Sequence, residues 1–292
     1  MAPSPRENQR LDAIVDAVNR SDLSTIRSVV LRLMAIINDP AATAKDLVET
    51  IQVDPPLAAK VLKLVNSAYC SPRSKISDLQ QAVIFIGFET LKELALNQKV
   101  CEIFQKGIRI EGYSRKALWK HSVAVALFAK QIYRKEFGEM GDGAYAAGLL
   151  HDIGIIVEDQ FLNEDFTQAL QLVGRRNLPQ WIAEKEILGF DHSEVGMALL
   201  SNWGLPEDLT TAIGRHHDPL DASHTLFRLS ATIYLANHYC QRANMGFCDS
   251  ANFGEELPER VRDQLHIEEH AIELIREDIT EALSQLESQG II

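Results

Sequence analysis

Cysteine is scarce and scattered along this chain. Cys70, Cys101, Cys240 and Cys248 form no CxxC pair, which argues against a zinc-ribbon site and leaves no disulfide framework. They read as reduced, mostly buried thiols. Basic charge is also short: 29 Lys and Arg stand against 41 Asp and Glu, a net −12. That balance argues against a basic nucleic-acid-binding face. No apolar run is long enough to cross a bilayer. The opening MAPSPRENQR has no apolar stretch of the kind a secretory signal needs, so residues 1–19 are expected to be a loose tail and the cytoplasm the compartment. Runs of alternating strand residues are missing as well.

What remains is helical. The 292 residues are 46% apolar and 24% charged, ordinary for a globular protein. Val29, Val30, Leu33, Ile36 and Ile37 recur at helical spacing. Helices are expected to open near Thr43, at Asp54-Pro55-Pro56 with proline in the first turn, and at Ser77 with Gln80 in a capping box. Gly87 should end the last of these. Leu118, His121, Val125, Phe128 and Ile132 share one stripe of a longer helix. Asp191 and Glu194 again have capping-box spacing, ahead of His192, Val195, Leu199 and Trp203. Pro206 begins another helix, which ends near His216-His217. Leu226, Leu229, Ile233 and Asn237 share the next stripe. Gln241 to Pro258 reads as a loop. A final amphipathic helix carries Ile272, Ile275, Ile279, Leu283 and Leu286. Charge is uneven: residues 255–292 carry eleven acidic and three basic side chains, a net −8, leaving −4 for residues 1–254.

Seven polar residues lie in or beside apolar helical faces: His121, His151, Asp152, His192, His216, His217 and Asn237. Buried polar groups are costly unless something satisfies them. A shared metal would satisfy several imidazoles and a carboxylate together, and helical bundles build such sites from facing helices. A hydrogen-bonded network without an ion is the competing reading, since each imidazole can donate to a carboxylate or a carbonyl. Ser122 lacks a nucleophile-elbow context. Glu184 and Glu186 are expected on a solvated face, and Trp203 in the core.

His121, followed by His151-Asp152 in GLLHDIG, resembles the first motifs of the HD superfamily of metal-dependent phosphohydrolases. The wider chain is similar to HDOD proteins, relatives of the HD-GYP cyclic-dinucleotide phosphodiesterases. The similarity runs through INDP (37–40), VDPPLAAKVLKLVNSAY (53–69), IG (86–87), WKHSVAVALFAK (119–130), AYAAGLLHDIG (144–154), HSEVGMALLSNWGLPEDL (192–209) and IGRHHDP (213–219). It implies an all-α fold, with an HD-like core and a smaller N-terminal helical lobe. The HDOD region is expected over 20–285: a lobe at 20–110, a core at 111–240 and, after the 241–258 loop, a helix at 259–285. The chain carries no recognisable receiver, GGDEF or kinase segment, so it is expected to be close to a stand-alone regulatory protein.

The resemblance also implies a site. His121, His151 and Asp152 match three HD metal ligands, and Asn237 stands where the fourth, an aspartate, is expected. His192, His216 and His217 resemble ligands of a second metal in the HD-GYP relatives. Two features depart from the enzymes. Ile155 stands where a lysine often follows HD-x-G, removing a charge that would stabilise a phosphoryl transition state. Asn237 offers a neutral oxygen in place of a carboxylate. The implied cofactor is a divalent metal (Fe, Mn, Zn or Mg) at partial occupancy, and no catalytic residue is assigned beyond Asp152 in an active enzyme. The expected partners are a signalling protein and a nucleotide or phosphate ligand, with no nucleic acid and no membrane. Three functions follow: a signal-transduction protein acting by binding, a phosphohydrolase of a nucleotide or cyclic dinucleotide, or a non-catalytic nucleotide sensor.

Overall fold

The computed structural model describes residues 5–21, 23–67, 70, 72, 74–105, 110, 113–223, 225–247, 256–288 and 292. Among them every regular element is a helix. The smaller lobe is built from α2 (Ser24–Asn38), α3 (Ala44–Gln52), α4 (Pro55–Val65), α5 (Leu79–Ile86) and α6 (Phe88–Cys101). Its helices start where the capping chemistry places them. The Thr43 side chain accepts from Asp46 N while the Asp46 side chain accepts from Thr43 N. The Asp54 side chain accepts from Leu57 N, with Pro55 in the first turn. The α5 cap is one residue later than Ser77: Asp78 Oδ1 accepts from Gln81 N at 2.8 Å. A carboxylate is the stronger acceptor for an orphan helix donor. Gly87, at φ +85°, closes α5 and opens α6, a conformation that costs glycine least.

The core contains α7 (Arg115–Glu136), α8 (Asp142–Leu150), α9 (Ile153–Phe161), α10 (Asn163–Arg176), α11 (Gln180–Leu188), α12 (His192–Trp203), α13 (Glu207–Gly214) and α14 (Phe227–Arg242). The α7 stripe of Leu118, His121, Val125, Phe128 and Ile132 is wholly buried. It packs on α8 and α14, while α9 packs on α12. Lobe and core meet through α2 and α6 against α8. There Lys92 of α6 lies 2.7 Å from Asp142 Oδ2, and Lys130 of α7 lies 3.2 Å from Asp142 Oδ1 and also pairs with Glu93. Both lysines are buried.

Three expectations need correction. The supposed loose tail contains α1 (Pro5–Asn19), whose Leu11, Ile14, Val15 and Val18 are buried against α12 and α9. Arg10 holds it to Asp165 at 2.5 Å, and Trp203 Nε1 donates to Asn19 at 3.1 Å. The expected C-terminal helix is two helices, α15 (Glu256–Leu265) and α16 (Glu269–Ser288). His266, at φ +56°, breaks the helical path between them. Of the cysteines, only Cys240 is buried among those described; Cys70 and Cys101 are half-buried, and Cys248 lies outside the described residues, as do 248–255 of the expected loop. No helix is long and apolar enough to cross a membrane among the described residues.

Candidate metal centre

The GLLHDIG stretch works through its glycines. A Cβ on Gly148 would lie 2.7 Å from Ala126 Cα, so only glycine lets α8 approach α7 this closely. A Cβ on Gly154 would lie 1.9 Å from the His192 carbonyl oxygen, which would drive α9 off α12. Between the two contacts, His151 and Asp152 occupy the break from α8 to α9. The HD pair is therefore held against α7 on one side and α12 on the other.

All seven sequence-derived residues converge here, six of them buried and His217 partly so. Asp152 sits at the centre. Its Oδ2 faces His151 Nε2 at 3.1 Å and His121 Nε2 at 3.8 Å. Its Oδ1 faces His192 Nε2 at 3.5 Å and His216 Nε2 at 3.6 Å. On the far sides, His121 Nε2–H donates to Asn237 Oδ1 at 2.9 Å, and His217 Nε2 lies 2.9 Å from His192 Nε2. The atoms that could hold a metal fall into two triads, His121 with His151 and Asp152, and His192 with His216 and His217, each spanning no more than 4.8 Å. Asn237, expected as the fourth ligand, meets the first triad through its contact with His121.

Backbone carbonyls fix how two of the rings point. His151 Nδ1–H donates to Gly148 O at 2.8 Å and His216 Nδ1–H to Ile213 O at 2.6 Å. This leaves the Nε2 of each ring as a free lone pair, and both Nε2 atoms are buried with no hydrogen-bond partner. Burial lowers the pKa of His121 to about 4 and of His216 to about 3, so these rings are neutral and basic-sided at neutral pH. Burial alone would raise Asp152, but His151, His192 and His121 hold it well below the ordinary carboxylate range. A carboxylate flanked by the inward Nε2 lone pairs of His151 and His216 is the kind of donor set that zinc, iron or manganese takes. The orphaned Nε2 atoms are what such a cation would satisfy, so the residues present fit a divalent metal.

Glu184 corrects the expectation of a solvated face. It is fully buried. Its Oε2 accepts from His192 Nδ1 at 2.6 Å and from His192 N at 2.9 Å, and its Oε1 accepts from Gln180 Nε2 at 2.6 Å. A carboxylate behind a ligand imidazole fixes ring orientation and raises ligand basicity. Burial opposes charge on His192, yet Glu184, Asp152 and Asp191 outweigh it and raise its pKa to about 10. The signal for Glu184 lay in the sequence: it shares the inward stripe of α11 with Gln180, Ala183 and Leu188. Glu186 is exposed and pairs with Arg176 at 2.8 Å, as a solvated residue should. Ser122 donates to Leu118 O at 3.1 Å, so its hydroxyl serves the helix. Ile155 is buried in the apolar core, and Trp203 is buried too.

The HDOD domain profile matches residues 23–219. Among solved structures, an HDOD domain protein of unknown function from Geobacter sulfurreducens is 28% identical, with a TM-score of 0.76 over 89% of this chain and 90% of that one. A Marinobacter aquaeolei protein provisionally named for signal transduction is 22% identical, with a TM-score of 0.74 over 97% of this chain and 64% of that one; that likeness is one of fold. An uncharacterised Treponema pallidum protein is 27% identical over 248 residues, 84% of this chain. The chain spans less than half the length of that curated relative, 46% of it. With the lobe, the helical core and the HD cluster in place, the match over most of its length makes this chain a member of the HDOD family.

Proposed function

We propose that this HDOD protein acts in signal transduction by binding, and that its HD cluster holds a divalent metal as a fixed element of the core. The supporting observation is the burial of the donor set: His217 alone of the seven is more than marginally exposed. Hydrolysis by a metal needs an open coordination position and room for substrate, and a closed cluster offers neither. Asn237 in place of an aspartate and Ile155 in place of a lysine point the same way. The binding partner is a signalling protein in the cytoplasm, and the cluster's half-exposed His217 edge is where a nucleotide or phosphate ligand would approach. The test is metal analysis of protein purified without a polyhistidine tag, followed by phosphoester hydrolysis with added manganese or iron. The expected result is bound metal that Asp152→Ala loses, with no turnover. Metal-dependent turnover that vanishes in both His151→Ala and Asp152→Ala would defeat this reading.

One observation favours a second reading, a phosphohydrolase of a nucleotide or cyclic dinucleotide. Asp152 presents one oxygen to each histidine triad, the arrangement a carboxylate shared by two cations requires. Two metals would supply Lewis-acid activation of water and of the phosphoryl oxygen. In that reading Asp152 would help hold metal beside both triads, and the same turnover assay decides between the two.

A further inference from the structure

Residues 55–77 hold four Lys and Arg and no Asp or Glu, in a chain whose net charge is −12. The fold sets part of that charge around a lobe cavity of about 880 Å³. Lys60 and Lys63 line it from α4, Lys75 and Ile76 from the segment before α5, and Gln98 from α6. No carboxylate lines it among the described residues. Asn66, at the end of α4, fixes one wall. Its Nδ2 donates to Leu62 O and to Ile76 O, and its Oδ1 accepts from Ile76 N, each at 2.8 Å. That bracket holds Ile76, and Lys75 next to it, beside α4. Lys60 is engaged: it lies 3.0 Å from Glu102 Oε1, while Glu102 Oε2 pairs with Lys99 at 2.9 Å. Lys63 and Lys75 are exposed and have no ion-pair partner among the described residues. The Gln98 amide has no hydrogen bond among them either.

Two unpaired ammonium groups and a free amide, with no carboxylate beside them, select an anion. The chain's overall negative charge does not keep one away, because charges further than about 8 Å are largely screened at physiological salt. Lysine binds phosphate as a point charge. The cavity lies within the range of about 300–1,000 Å³ found for small-molecule sites, far more room than a phosphate group fills. Leu62, Leu64 and Ile76 line the remainder and offer apolar wall to an uncharged ring. We propose that this lobe cavity is a nucleotide site: the phosphates meet Lys63 and Lys75, the Gln98 amide donates to the ligand, and the base and sugar lie against Leu62, Leu64 and Ile76. The site is separate from the HD cluster and does not depend on a metal there. Its wall helix α6 also carries Lys92, which pairs with Asp142 at the head of α8, so the cavity adjoins the contact between lobe and core.

Calorimetric titration of the whole chain, kept metal-free with a chelator, tests this with ATP and GTP as probes. At least one is expected to bind, and about tenfold or more tighter than either adenosine or inorganic tripolyphosphate, since each of those lacks one half of the recognised group. Changing the exposed pair together, Lys63→Ala with Lys75→Ala, should weaken that binding about tenfold or more, the scale of lost charge-assisted hydrogen bonds. Lys45→Ala, an exposed lysine of α3 in the same lobe, should leave it unchanged, and so should His151→Ala. Binding of neither nucleotide overturns the proposal. So does tripolyphosphate binding as tightly as the nucleotide, which would mark attraction to charge alone. An equal loss in Lys45→Ala and in the double variant overturns it as well. A loss in His151→Ala would put the ligand at the HD cluster and overturn it too. Every titration is run without metal, so a cluster that fails to hold a cation leaves this result readable.

Discussion

Asp152 carries its charge among four imidazole nitrogens, and the imidazoles do not titrate alike. His192 has its pKa raised to about 10, so the folded state holds that proton more tightly than an unfolded chain with the ordinary 6.5. The stability it contributes is complete below about pH 6.5 and is lost as pH rises through 10. His121 and His216, lowered to about 4 and about 3, act in the other direction. The unfolded chain takes up their protons first, so stability falls as pH drops from 6.5 through 4 towards 3. The thermal midpoint of metal-free protein should therefore peak near pH 6.5 and fall on both sides; calorimetry showing a flat profile would contradict these assignments. At the fourth ligand position, Asn237→Asp restores a carboxylate, and metal affinity should rise by roughly tenfold, since ligand charge count tunes affinity. Titration calorimetry of the variant against the wild type reads this. That these seven side chains gather was legible in the sequence, because histidine and asparagine on an apolar stripe are conspicuous. Glu184 carried a weaker signal, its place on the inward stripe of α11, because glutamate is common on helices and only packing distinguishes a buried one.

At the scale of elements, close helix approach does the work. Gly154→Ala places a methyl on the His192 carbonyl and should cost about 3 kcal/mol, the upper range for overpacking. Gly174→Ala in α10 meets nothing within 4 Å and should be neutral or stabilise by up to about 1 kcal/mol, the helix-propensity gain. Chemical denaturation of the pair checks both, and only the Gly154 variant should lose metal. Most helix starts could be read in advance, since Thr43, Asp54 and Asp191 cap as their side chains dictate. The α1 helix was legible too, in the 11, 14, 15, 18 spacing of its apolar residues, but its polar opening masked it. The break at His266 had no such signal. A histidine in the left-handed region is decided by the packing of the helices on either side, which no local pattern records.

Across the whole molecule, lobe and core are joined by buried charge. Asp142 neutralises both Lys92 and Lys130. Asp142→Asn leaves two buried ammonium groups short of a partner and should destabilise by about 3 kcal/mol, as breaking a buried pair does. Replacing Lys92 and Asp142 together by apolar residues should cost less than the single change, and denaturant midpoints of the two variants check the order. None of this pairing was legible, because Asp142 lies fifty residues from Lys92 and nothing in either neighbourhood announces the other.

The same aspartate opens α8, and the helix ends at Leu150, one residue before His151. Nine residues of helix span about 13 Å, too short and too tightly packed on α7 to flex. One end of this rod is clamped by ion pairs to the lobe, and the other end carries His151 into the cluster. A load applied to the lobe thus reaches His151 with no loop between to absorb it. By reciprocity, anything that favours one seating of the lobe changes the hold on a cation by the same factor that the cation changes the seating.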